Sequence, residues 1–135
     1  TPYYYVYGYD GTDVSAAKAT SNYTTYGVLY NWPAANTACP TGWHLPTDAE
    51  FTTLTNTTGN SKAGLISAEW FNNLFAGYRG TDGSFHDVAS DTRFWSSSAS
   101  SSSNAWYRGL STSYSAVLRA NNNKAYGFSV RCLRD

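Results

Sequence analysis

Between Phe94 and Cys132 the apolar residues stand far apart in a polar background, and their spacing gives this part of the chain a readable shape. Trp106, Leu110 and Val117 recur among serine, asparagine and tyrosine, and every residue from Ser96 to Ser103 except Ala99 is serine. The stretch opens on Phe94-Trp95 and closes on the β-favouring run Gly127, Phe128, Ser129, Val130, Arg131, Cys132. A disordered serine tract keeps no recurring apolar face, so the pattern predicts two or three strands with exposed, adaptable faces, fixed at both ends to a core. A strand period of two puts Trp106 and Leu110 on one side and Tyr107, Gly109 and Ser111 on the other. Arg108 falls with the inward set, where it needs an edge or an acidic partner.

Upstream, residues 3–9 (YYYVYGY) read as a β-prone segment so aromatic that it must pair with a sheet or meet a partner. Asp10-Gly11 is a turn signal, and Ala16 to Thr20 can form a helical turn. Tyr26 to Trp32 reads as a buried strand leading into Pro33, which suits the first turn of a short helix running to Ala38. The sharpest local signal is Thr47 followed by Glu50, a capping box that starts a helix at Asp48, with Pro46 and Phe51 in staple positions. Phe51 and Leu54 form its inward face, Asp48 complements the helix dipole and Gly59 stops it. Trp70, Phe71, Leu74 and Phe75 are spaced for one helical face, though aromatic packing beneath a loop fits equally well. Asp82-Gly83 marks a hairpin or tight loop after Gly77 to Gly80.

Composition narrows the function classes. The 135 residues make one domain with a single core, 17% of them aromatic and only 13% charged, with nine basic residues against nine acidic. A neutral chain without a basic cluster has no electrostatic hold on phosphate backbones, which argues against nucleic acid and anionic membrane as partners. No apolar run approaches a membrane span, and no signal peptide is visible; Thr1 in place of an initiator Met suggests that something upstream was removed.

Cys39 and Cys132 are too far apart for a CxxC motif, and two histidines are too few to complete a zinc site easily. A single long-range disulfide is the simplest use, stabilising the fold by about 4–5 kcal/mol on the chain-entropy model and implying an oxidising compartment. The alternative is two buried free thiols.

The series CPTGWHLPTDAEF, preceded by YGVLYNWPAA and followed by GYRGTDGSF, FWSS, NAWYR and GFSVRC, resembles the FISUMP domain, a family of exported bacterial domains. That family is similar in turn to the formylglycine-generating-enzyme branch of the C-type lectin fold. The resemblance spans about Tyr26 to Arg134. It implies an α+β, C-type lectin-like fold: two helices packed on a twisted antiparallel sheet, long irregular loops and termini close together. The segment from Thr57 to Asn73 looks shorter than is usual there.

Residues 94–132 also resemble the variable region of proteins diversified by retroelements, which end in a motif like GFSVRC and are rich in Asn, Ser, Tyr and Gly. On that resemblance Tyr107, Gly109, Ser111, Ser113, Tyr114, Ala116, Leu118, Ala120, Asn122, Ala125 and Tyr126 are the ligand-binding positions. They alternate with a framework of Trp95, Trp106, Leu110, Val117, Gly127, Phe128 and Val130. Such a face is chemically sensible: tyrosine makes large amphipathic contacts with few torsions to freeze, and Ser, Gly and Asn add adaptable hydrogen bonds. Arg108 and Arg119 can add charged anchors.

Catalytic signals are weak. His44, between Trp43 and Leu45, reads as structural, and His86 as a loop residue that Asp87 can orient; no GxSxG is present. The formylglycine-generating enzymes need a reactive cysteine pair, and only Cys132 lies near the last strand. The EPN, QPD and WND motifs of calcium-dependent lectins are absent, and Asp82, Asp87 and Asp91 read as turn residues before calcium ligands. The expectation is therefore an extracellular or cell-surface binding domain, not an enzyme, without cofactor or metal, taking a protein or glycan ligand on a cell surface through residues 94–132. The alternative is a structural subunit of a filament or surface layer, self-associating through residues 3–9 within the Tyr-rich region 1–25. A hydrolase hidden among the serines would need an activated serine with a histidine at hydrogen-bond distance.

Overall fold

The computed structural model describes residues 1–67 and 73–135. β1 (Tyr4–Tyr5) is followed by two short helices, α1 (Val14–Lys18) and α2 (Ser21–Tyr26), each with an N-cap side chain, Asp13 and Thr20, accepting a helix amide. β2 (Leu29–Tyr30) pairs antiparallel with β1, and α3 (Trp32–Ala35) starts at the Asn31 cap with Pro33 in its first turn. β3 (Trp43–His44) leads into α4 (Asp48–Thr57), where the Thr47–Glu50 capping box is complete and Gly59 follows the helix with a φ of 68°. After α5 (Lys62–Ser67), β4 (Tyr78–Arg79) and β5 (Phe85–His86) form the hairpin expected around Asp82-Gly83. The chain ends with β6 (Asp91–Ala99), β7 (Asn104–Ser111), β8 (Leu118–Asn123) and β9 (Leu133–Arg134), the last pairing back with β3.

The centre is the antiparallel meander β6-β7-β8, buried on both faces along β6 and β7. Trp95, Ala105 and Tyr107 join Ala35, Leu45 and Phe128 in one core, while Phe94 and Leu110 join Phe51, Leu65 and Val117 in a second. Strand alternation explains the division: neighbours in sequence feed opposite cores. α3 packs toward the first core and α4 toward the second, so the sheet is sandwiched between them. Cys39 and Cys132 form a disulfide, tying the turn after α3 to the segment before β9. The fold is α+β.

Several sequence expectations change. Five helices are present among the described residues where the family resemblance implies two; α1, α3 and α4 stand where the residues predict helical structure, and α2 and α5 were not expected. Ser21–Tyr26 is helical because Thr20 caps it, and the following strand is only Leu29–Tyr30. The run 127–132 is not a continuous strand: Phe128 bridges Tyr30, Gly127 bridges Arg79 and Ser129 bridges Phe94, so it is stitched to three neighbours in turn. Leu74 is exposed and Phe75 packs against the second core from a non-helical segment; Trp70 and Phe71 lie outside the described residues.

Candidate ligand-binding face

The turn between β7 and β8 is the most exposed apolar part of the region expected to bind ligand. Tyr114 is 69% exposed and Leu118 50%, and Ser113 before them and Ser115 and Ala116 between them are also exposed. The turn is nevertheless held. The Thr112 amide donates to Ser90 O at 2.8 Å, and the Lys62 amide and ammonium donate to Ser115 O and Ser111 O, both at 2.7 Å. Ala116 bridges Ser61, and Val117 is buried in the second core. A displayed loop with its backbone already fixed loses little entropy on contact.

β8 is positioned by a charge cluster that the period of two explains. Arg108 and Arg119 are paired across β7 and β8 on the face toward α4. Arg108, only 3% exposed, donates to Asp48 Oδ1 at 2.6 Å, to Asp48 O at 3.0 Å and to Thr52 Oγ1 at 3.0 Å. Arg119 grips the same carboxylate, with 2.7 Å from its terminal nitrogen to Oδ2, and lies 3.8 Å over the Trp106 ring. The Arg119 guanidinium holds the Asp48 carboxyl below the usual carboxylate range, with help from Arg108 and against partial burial. The acidic partner that Arg108 needed is thus the helix-dipole aspartate. Neither arginine is a free anchor for ligand.

The expected contact residues divide. Ser113, Tyr114, Ala116, Leu118 and Ala125 are exposed, and Ser111, Ala120, Asn122 and Tyr126 are half-buried. Tyr107 and Gly109 are corrections. Tyr107 is 5% exposed, its ring 4.9 Å from Phe128 and 6.3 Å from Trp95, because the segment around Phe128 covers that half of the face. Gly109 is buried beside Leu118 and Tyr107; a β-carbon there would meet both at ordinary contact distances of 3.5–3.6 Å. The exposed candidates lie in two places: Ser113 to Leu118 at one end of β8, and Ala125 beyond its other end.

Much of the serine tract serves the fold. Trp95 pairs with Tyr107 and Ala99 with Ala105, so Ser96, Ser97 and Ser98 bulge against Trp106 alone. Ser96 is fully buried and donates to Trp106 O at 2.9 Å, while its own carbonyl accepts from Trp32 Nε1 at 2.9 Å. The Ser97 amide donates to Pro46 O at 2.8 Å, and Ser98 Oγ accepts from the Asp48 amide at 2.9 Å. The bulge therefore docks the N-terminus of α4. Only Ser100 to Ser103 form the exposed turn.

Sequence reasoning missed Arg93 and Tyr78. Arg93 lies 3.7 Å over the Tyr78 ring, 5.5 Å from Tyr107, and pairs with Asp91 at 3.0 Å. Burial pushes the Asp91 carboxyl up, partly opposed by Arg93. Extending the alternation from Trp95 back along β6 would have placed Asp91 and Arg93 on the Tyr107 face.

The histidines have structural partners. His44 Nδ1 meets Asp135 at 2.6 Å and Nε2 meets Glu50 at 2.9 Å, and the Asp135 and Glu50 carboxylates raise its pKa. Burial pushes Glu50 up, but the Thr47 amide and His44 together outweigh it and leave it below its ordinary value. His86 lies in β5, stacked on Tyr78, and its partner is Ser84 at 2.7 Å, not Asp87. Ser84 spends its one proton on Asp82 at 2.6 Å, so the histidine nitrogen must be the donor to Ser84 Oγ. That polarity is opposite to a base activating a nucleophile. Among the described residues no group of three or more His, Cys, Asp or Glu is placed to hold a metal ion, and no helix is long and apolar enough to cross a membrane.

No curated protein and no solved structure matches the chain. A family profile does, and it covers residues 5–134, from β1 through the disulfide to β9. The chain belongs to the Fibrobacter succinogenes major domain family.

Proposed function

We propose that this is an exported ligand-binding domain, C-type lectin-like in architecture and akin to the FISUMP domains, that recognises a protein on a cell surface through the β7–β8 turn. The observation that carries the reading is the pairing of exposed Tyr114 and Leu118 with a backbone pinned at Ser111, Ser115 and Val117. A rigid turn offering an aromatic, an aliphatic and several hydroxyls matches the economy of antibody loops. The Cys39–Cys132 disulfide supports an oxidising compartment, and hence export. Exposed positions such as Ser113, Tyr114, Ala116 and Leu118 are where retroelement diversification would alter recognition at least cost to the fold.

A subunit that polymerises by extending a sheet through residues 3–9 has less support. β1 is two residues long and already paired with β2, which leaves little edge to template a neighbour.

The test uses the intact domain and a Tyr114→Ala/Leu118→Ser variant, each cross-linked to intact cells from the source community. A cell-surface protein recovered with the native domain and lost with the variant supports the reading. Recovery of the same proteins by both, or of none, sinks it. Sequencing codons 94–132 across a population tests diversification separately: substitutions at Tyr114 and Leu118 with Trp106, Tyr107 and Phe128 untouched support it, and a uniform sequence removes it.

A further inference from the structure

β1, α1, α2, β2 and the loop after α3 line a cleft of about 750 Å³ to which no residue of the β7–β8 turn contributes. Its size is that of a small-molecule or oligosaccharide site. Tyrosine rings from three separate segments line it: Tyr3, Tyr4 and Tyr9 near the N-terminus, Tyr23 from α2 and Tyr30 from β2. Tyr4, 59% exposed, meets Tyr30 in a T-shaped contact with ring centres 5.6 Å apart, so Tyr30 covers at most one of its two faces.

The walls are fixed by specific bonds. The buried Asn31 side chain accepts from the Tyr3 amide and donates to Thr1 O, both at 2.9 Å, and the Asn22 side chain donates to Tyr7 O at 3.1 Å. Tyr9 folds back over Gly11 so closely that a β-carbon there would lie 2.5 Å from the Tyr9 hydroxyl, so a larger residue would displace the Tyr9 ring. The charges lining the cleft balance: Asp10 and Asp13 against Lys18 and Arg79. Asp13 is committed to capping α1 and Arg79 lies 4.2 Å over Tyr5. Asp10 is exposed and makes no hydrogen bond or ion pair with the described residues.

We propose that this cleft is a binding site for a neutral glycan, with Tyr4 as a stacking platform and Asp10 as the hydroxyl acceptor. A pyranose presents an apolar face of C–H groups rimmed by hydroxyl donors. An open tyrosine face covers the first, and a carboxylate, which can only accept, takes the second. The balanced charge gives no preference for an anionic sugar or a cation. Purely apolar ligands would strand the tyrosine hydroxyls and Asp10. The site is separate from the β7–β8 turn and does not rest on the function proposed for it.

The test is a printed array of neutral, sialylated and sulfated oligosaccharides probed with the intact domain, followed by calorimetry with the strongest neutral oligosaccharide. Expected are neutral glycans among the bound set, affinity at least tenfold weaker in Tyr4→Ala and at least fivefold weaker in Asp10→Asn, and no change in Tyr114→Ala. Asp10→Asn, in an exposed loop, keeps the test decisive if Tyr4→Ala fails to fold. A blank array, binding confined to anionic glycans, neutral-glycan binding that survives Asp10→Asn, or binding lost in Tyr114→Ala would each overturn the proposal.

Discussion

Arg108 donates to Asp48 at 2.6 Å across 60 positions of chain, and the bond joins the middle strand of the central sheet to the first turn of α4. Because Arg108 is buried, that carboxylate is what compensates its charge. Asp48→Ala should destabilise the fold by about 3–5 kcal/mol, the usual cost of stranding one member of a buried pair. Arg119, half exposed and screened by solvent, should cost far less on change to alanine. Urea unfolding midpoints at constant slope measure both; equal losses would contradict the assigned division of labour.

Two neighbours on one face of β7 make a contrasting pair of predictions. Tyr107→Ala should cost about 3–5 kcal/mol, since the ring fills the core between Trp95 and Phe128. Gly109→Ala should leave thermal stability nearly unchanged, because the added methyl meets its neighbours at normal distances. A large loss at Gly109 would show that the face is tighter than these distances imply.

The clasp of His44 on Asp135 and Glu50 should depend on pH. His44 is raised above its free value of 6.5, so its contribution is complete below that value and is lost as pH rises through the folded one. Glu50 and Asp48 are lowered, so their contributions are present above ordinary carboxylate values and fade as pH falls through the folded ones. Protection factors for the β3 and β9 amides, measured from pH 5 to 9, should step down in the native domain. The step should be absent in His44→Gln.

Thr47→Ala removes one half of the capping box and should cost about 1 kcal/mol. Ser98→Ala should cost a comparable amount, about 1 kcal/mol, because Ser98 supplies the acceptor for the Asp48 amide. Helix-amide exchange in α4 distinguishes these local losses from global unfolding.

The capping box, the 82–83 hairpin and the cysteine pair were legible in the sequence because each is encoded by a few residues close together or by elimination. Tyr107 was misplaced because alternation assigns a residue to a face but says nothing of what covers it, and Phe128 covers that one. The Ser96–Ser98 bulge was illegible for a related reason: its bonds run to Trp32, Pro46 and Asp48, all distant in sequence. α2 was hidden by β-prone Thr and Tyr, whose propensity a single cap at Thr20 overrides.

Cutting the disulfide by Cys39→Ser/Cys132→Ser should cost up to about 4–5 kcal/mol, read as a fall in the unfolding midpoint equal to that of the reduced native domain.

The same bond decides how the domain would carry a pull. Tension applied between a point before Cys39 and a point after Cys132 passes from one sulfur to the other and bypasses the 93-position loop they close. β1 through α3 would bear the load and peel first, while the backbone of β6, β7 and β8 stayed slack. The β7–β8 turn could keep its shape while the chain on either side of the bond was drawn taut.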